Sequence, residues 1–152
     1  MNRDSYDIET LRTAVRSAGR TASSVSKWSV GMHIHHCCLA ATGICRSLAE
    51  STPPPPASRF SFVSWVVFLS GRIPRGRGKS PDVAVPKTDV SSEELLTLLD
   101  ECDRAVGEAE RLDSESWFDH FAFGILTRDR ALKLIGIHNR HHLRIIADIL
   151  SK

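Results

Sequence analysis

The stretch Thr127–Leu150, TRDRALKLIGIHNRHHLRIIADIL, decides the fold. On a wheel at about 100° per residue, Ala131, Leu132, Leu134, Ile135, Ile145, Ile146, Ile149 and Leu150 gather into one apolar arc. Lys133, Arg140 and Arg144 lie opposite, and Thr127 stands where an N-cap belongs. The spacing predicts an amphipathic helix, whose apolar stripe requires helical partners. His138 and His142 fall at the centre of the arc, and His141 on its shoulder.

Working outward, the partners come into view. Ile8, Leu11, Val15, Ala18 and Ala22 recur at helical spacing, which predicts a first helix over Asp4–Ala22. Ser23–Lys27 is a polar break. Ser29 caps a second helix that runs to Glu50, where Ser51-Thr52 and Pro53–Pro56 stop it. The segment Phe60–Ser70, FSFVSWVVFLS, has the β-branched and aromatic content of a strand. A lone strand would have nothing to pair with, so the expectation is a short, deeply buried helix. Gly71–Val90 reads as a long irregular crossover with Pro74, Pro81 and Pro86. Ser91-x-x-Glu94 is a capping box. It opens a helix with Leu95, Leu99, Cys102, Val106 and Ala109 on one stripe, ending near Leu112. Asp113–Leu126 reads as a loop. These elements define an all-α chain: a four-helix bundle with a long crossover connection and one short extra helix, in a single domain over residues 1–152.

Bulk properties set limits on function. A chain of 152 residues with 41% hydrophobic and 25% charged residues is ordinary for a globular domain. A net charge of +2 is too small to mark nucleic acid or a membrane surface as the partner. The longest apolar run, Phe60–Leu69, is too short to span a bilayer. The polar start, MNRDSYDIETLR, lacks the apolar run of a signal peptide. A cytoplasmic location is therefore expected. Cys37, Cys38, Cys45 and Cys102 show no CxxC spacing, and they read as reduced thiols acting as small core residues.

Histidine is the unusual component. Six of the seven fall into two groups, His33, His35 and His36, then His138, His141 and His142. His138 and His142 are four residues apart, so their Cβ atoms lie about 5–6 Å from each other on one helix face. Helical HxxxH pairs ligate metals in this way. The plainer reading is two core histidines bonded to backbone or water. Yet two imidazoles at the centre of one stripe demand several polar partners at once. A third ligand should come from the second helix, whose apolar arc is marked by Met32, Leu39, Ala40, Ile44 and Leu48. His36 and His33 both fall inside that arc and His35 on the polar side, so the wheel leaves His36 and His33 open. Cys37 points about 100° away from His36 and is set aside as a ligand. Imidazole suits zinc, nickel, copper or iron. His120, among Trp117, Phe118, Phe121 and Phe123, is a candidate catalytic acid/base or substrate contact. Arg72, Arg75, Arg77 and Lys79 could hold an anion, although basic loops are usually just solvated.

The stretch His120-Phe-Ala-Phe-Gly-Ile-Leu-Thr127, followed by His138-Asn-Arg-His-His-Leu-Arg144, resembles the C-terminal signature of a branch of the DinB/YfiT-like metalloenzymes. Trp28-Ser29 with a histidine eight residues later resembles the second helix of that branch, and GRIPRGRGKSP resembles its crossover. The match selects His36 over His33. The resemblance implies a four-helix bundle with a three-histidine site, His36, His138 and His142, for a divalent metal, with zinc or nickel foremost. Characterised relatives include S-transferases that use small intracellular thiols. The chain departs from the pattern at Phe121 in place of Pro, Arg130-Ala131 in place of Glu-Trp, and Ile145 in place of Gln. None of these is a ligand, so the departures bear on substrate preference and leave the metal site intact.

The expected function is a metal-dependent enzyme, a thiol-dependent S-transferase or a hydrolase, acting on a small-molecule substrate with a low-molecular-weight thiol as co-reactant. A homodimer is compatible with this reading. The alternative is a non-catalytic binding or assembly module with core histidines.

Overall fold

The computed structural model describes residues 6–57, 61–75 and 84–152. Its elements in chain order are α1 (Ile8–Ala14), α2 (Val30–Glu50), α3 (Phe62–Ser70), α4 (Ser92–Ala109), β1 (Trp117–His120), β2 (Gly124–Thr127) and α5 (Arg128–Leu150). The chain is predominantly helical, as the periodicities predict. α2 packs most extensively on α4 and next on α5, and α1 leans on both α4 and α5.

Local chemistry fixes the helix starts. The Ser29 hydroxyl accepts from the Met32 N–H at the start of α2, and the Ser91 hydroxyl accepts from the Glu94 N–H at the start of α4. Each bond satisfies one of the amides that the first turn leaves unpaired. Thr127 occupies the N-cap of α5 in extended conformation, but its side chain makes no capping bond. α3 ends at Gly71, whose φ of 62° lies in the left-handed region where glycine carries no Cβ penalty.

The first helix is shorter than the periodicity predicts. α1 gives way to a 3₁₀ turn at Val15–Ser17. The Ala18 and Arg20 carbonyls then accept from the Gly31 and Val30 amides at the head of α2. The chain thus turns back onto the next helix before Ala22 is reached. Asp4 lies outside the described residues.

α3 forms as expected but is not deeply buried. Phe62, Trp65 and Leu69 are 66%, 52% and 71% exposed, and only Ser64 and Val67 are buried. The helix lies on the surface along one line, with the Phe68 ring edge-on to Phe123 and under the Arg130 guanidinium.

The segment expected as a loop carries an antiparallel hairpin. Trp117 pairs with Thr127, Phe118 with Leu126, Asp119 with Ile125 and His120 with Gly124. Gly124, at φ 69°, closes the tight turn. Trp117 ties the hairpin to the end of α2, its backbone N–H donating to Ser51 Oγ and its indole N–H to the Thr52 carbonyl. The aromatic and β-branched residues of WFDH and GILT, with Gly124 beside the turn, are the signal that was there to find it.

The core runs between α2, α4 and α5, with Ile34, Leu48, Leu95, Leu99, Val106, Ile135 and Ile149 all essentially inaccessible. On α2 the buried stripe is Ile34, Cys37, Cys38, Ala41, Cys45 and Leu48, whereas Met32, Leu39 and Ala40 are only partly buried. The cysteines are thus core residues, all four of them free thiols. Hydrogen bonding with Cys102 and burial push the Cys38 thiol well above its ordinary value, and burial pushes Cys45 up to about 12. Among the described residues, no helix is long and apolar enough to cross a membrane.

Candidate metal centre

α2 and α5 cross so that their inward histidines meet. His36 comes from the second turn of α2, and His138 and His142 from successive turns of α5. The three ring centroids lie 4.6–4.9 Å from one another. One ligand nitrogen from each falls within 4.8 Å of the other two. His36 Nε2 and His138 Nε2 lie 3.0 Å apart. Tetrahedral ligation at about 2.0–2.1 Å spaces nitrogens by roughly 3.4 Å, which lies between that distance and the 4.8 Å within which all three fall.

The surroundings set the tautomers. His36 Nδ1 lies 2.6 Å from the Ala84 carbonyl, an acceptor, so Nδ1 carries the proton. That leaves the lone pair of His36 on Nε2, facing His138. A ligating histidine held by a backbone carbonyl through its other nitrogen is a common arrangement at metal sites. His33 also lies in this region. Its Nδ1 is 2.9 Å from His142 Nδ1, and its Nε2 is 3.0 Å from Ser26 Oγ. Trp28 covers the group, with its ring 5.1 Å from His36, 5.3 Å from His33 and stacked at 6.3 Å on His142.

Burial governs the electrostatics. Desolvation, then the nearby His36 and His141, hold His138 down at about 3. Desolvation, with His138, His36 and His33 adding to it, puts His142 far below the usual histidine range. His36 is also lowered by burial, against the opposing pull of the Ala84 carbonyl. All three are therefore neutral at physiological pH, the form in which imidazole ligates a metal. Three neutral imidazole donors suit a divalent transition-metal ion.

The other histidines stand around this group. His35, expected on the polar side of α2, is buried, because the crossover folds over that side and the Lys87 N–H donates to His35 Nδ1. His141 packs edge-on against His142 with centroids 5.1 Å apart. His120 ends β1, stacked on Phe121 and Phe123 at 4.5 and 4.4 Å. Its Nδ1 accepts from the Ala122 N–H, so its proton sits on Nε2. Burial lowers it to about 4, and it is close enough to His138 for a charge on it to disfavour one there. Of the basic group in the crossover, Arg75 pairs with Asp148 at 2.7 Å and Arg72 is exposed. Arg77 and Lys79 lie outside the described residues. Sequence reasoning placed His33 on the inward face but gave it no part once His36 was chosen.

A family model described as the DinB superfamily matches residues 11–146, nearly the whole chain. The protein belongs to the DinB superfamily. No curated protein matches the chain, and no solved structure does.

Proposed function

We propose that this protein is a metal-dependent enzyme in which His36, His138 and His142 hold one divalent ion, zinc or nickel. The observation that supports it most strongly is the convergence of three neutral histidines from two helices, with His36 Nε2 3.0 Å from His138 Nε2. Three protein ligands leave a coordination position open, as catalytic sites do and structural sites do not. Bound there, the ion would supply Lewis-acid polarisation, or bring a thiol or water towards ionisation near neutral pH.

The chain's own residues fix the rest of the reading. Ala84 holds His36 in the ligating tautomer. The His120 Nε2–H, on the hairpin next to the site, is a hydrogen-bond donor for a substrate oxygen. Phe121 and Phe123 stack on His120 and fix its plane. All four cysteines are buried, and burial (at Cys38 chiefly the hydrogen bond with Cys102) raises the thiols of Cys37, Cys38 and Cys45 well above their ordinary value, so they are poorly placed to serve as nucleophiles. A thiol-transfer reaction would thus take its thiol from solution, which supports a low-molecular-weight thiol attacking an electrophilic small molecule.

The test is metal analysis of untagged protein, followed by assay of the metal-replete form with small thiols and electrophiles. About one ion per chain and thiol consumption that depends on it are expected. Protein that takes up no zinc or nickel would refute the reading.

A further inference from the structure

His33 is buried, lies outside the three-histidine cluster, and bridges that cluster to the loop before α2. Its two ring nitrogens meet different partners, His142 Nδ1 at 2.9 Å and Ser26 Oγ at 3.0 Å. Two neutral imidazoles share a hydrogen bond only when one nitrogen carries the proton and the other a lone pair. If His33 Nδ1–H were the donor, the proton of His142 would sit on Nε2, and His142 would have no lone pair for the cluster. With His142 Nδ1–H as donor, the lone pair of His142 is on Nε2. His33 then carries its proton on Nε2 and donates it to Ser26 Oγ. Ser26 Oγ is itself fixed, since it accepts from the Trp28 N–H at 3.1 Å. Both arrangements satisfy every nitrogen in the chain of bonds, because the Ser26 hydroxyl can either donate or accept, but only the second leaves a lone pair of His142 for the cluster. It also matches the state that Ala84 imposes on His36.

We propose that His33 and Ser26 form a hydrogen-bond relay that holds His142 in the tautomer and orientation that present its Nε2 as a metal ligand. His33 is a positioning residue, and it acts through His142. The inference rests on the metal-site reading and goes further by assigning how one ligand is held. Metal-ligating histidines generally need such a partner on the second nitrogen, and losing it typically costs about 10–100-fold in metal affinity.

The experiment uses the full chain with Co²⁺ as the probe. Affinity is read by competition with a chromogenic chelator, coordination by the visible ligand-field spectrum, and folding of each metal-free variant by urea unfolding. His33→Leu should weaken Co²⁺ binding by about 10–100-fold and shift the ligand-field bands. His33→Gln, whose side-chain carbonyl can accept from His142 Nδ1–H, should restore most of the affinity and the wild-type spectrum. Ser26→Ala should weaken binding in the same direction but less, and it carries the comparison if His33→Leu does not fold. Unchanged affinity and spectrum in both His33→Leu and Ser26→Ala, with binding lost in His142→Ala, would overturn the relay and leave the metal site standing. Equal loss in both His33 variants, with one nitrogen donor gone from the Co²⁺ spectrum, would make His33 a ligand and also overturn it. Wild-type protein that binds no Co²⁺ would overturn both readings.

Discussion

The Nε2 atoms of His36 and His138 lie 3.0 Å apart although 102 residues separate them in the chain. Only the crossing of α2 over α5 brings them together. The expected effect of each histidine follows from that crossing. His36→Ala, His138→Ala and His142→Ala should each abolish most metal binding in calorimetric titration. His35→Ala, which removes a buried ring and the bond from the Lys87 N–H, should keep the stoichiometry while lowering thermal stability. Equal loss of binding at His35 and His36 would mean that the phase of α2 is wrong.

Metal that binds only the folded state must stabilise it by mass action, about 2.7 kcal/mol at a hundredfold excess over Kd. Zinc or nickel should therefore raise the melting temperature, and a chelator should return it to the metal-free value. The helices should survive chelation, because the Leu95, Leu99, Ile135 and Ile149 core does not depend on the site. Far-ultraviolet circular dichroism with and without chelator checks this. Complete unfolding would mark a structural metal.

The pH dependence has a definite sign. Burial lowers His36, His138 and His142, with His138 at about 3, whereas histidines of the unfolded chain titrate near 6.5. Below about pH 6.5 the unfolded chain binds more protons, so the stability present above that pH is lost progressively as pH falls. Urea midpoints of the metal-free protein should drop from about pH 7 to 5, with uptake of more than one proton on unfolding. Metal affinity should fall over the same range, also with a slope above one proton. A flat stability profile would show the three rings to be solvated.

Gly31 marks a close approach of backbones. A Cβ added there would meet the Ala18 Cβ and carbonyl oxygen, each at 3.2 Å, and that carbonyl is held by the Gly31 N–H itself at 2.8 Å. The helix-propensity gain of Gly→Ala, about 1 kcal/mol, is opposed by overpacking of typically 1–3 kcal/mol. Gly31→Ala should be net destabilising by about 1 kcal/mol in urea unfolding. A more stable variant would show that the turn after α1 yields freely.

The sequence made α2, α4 and α5 legible because each carries a cap or a long stripe at one period. Ser29 and Ser91 mark their helix starts to the residue. His138 and His142 were legible for the same reason, as they sit inside the clearest stripe. His36 was not separable from His33 by periodicity, since the wheel places both inside one arc; the resemblance to the family signature selected it, and the crossing with α5 brings it to His138 and His142. The face of α2 was less visible because cysteines, not leucines, line its seam with α4. His35 looked exposed because the wheel cannot show that the chain 52 residues later folds over it. α3 misled in burial because its high apolar content says nothing of how many of its sides are covered. The hairpin was hidden by its length, as two four-residue strands give periodicity little to act on.

Trp28 gives the site its own optical reporter. Its indole lies over His33, His36 and His142, and the other two indoles, Trp65 on the outer face of α3 and Trp117 against the end of α2, belong to other surroundings. Emission from Trp28 should respond to whatever charge or ion enters the histidine cluster, while Trp65 and Trp117 supply a constant background. A protein carrying Trp65→Phe and Trp117→Phe would therefore report occupancy of the centre by fluorescence alone, without an added dye or any knowledge of the substrate.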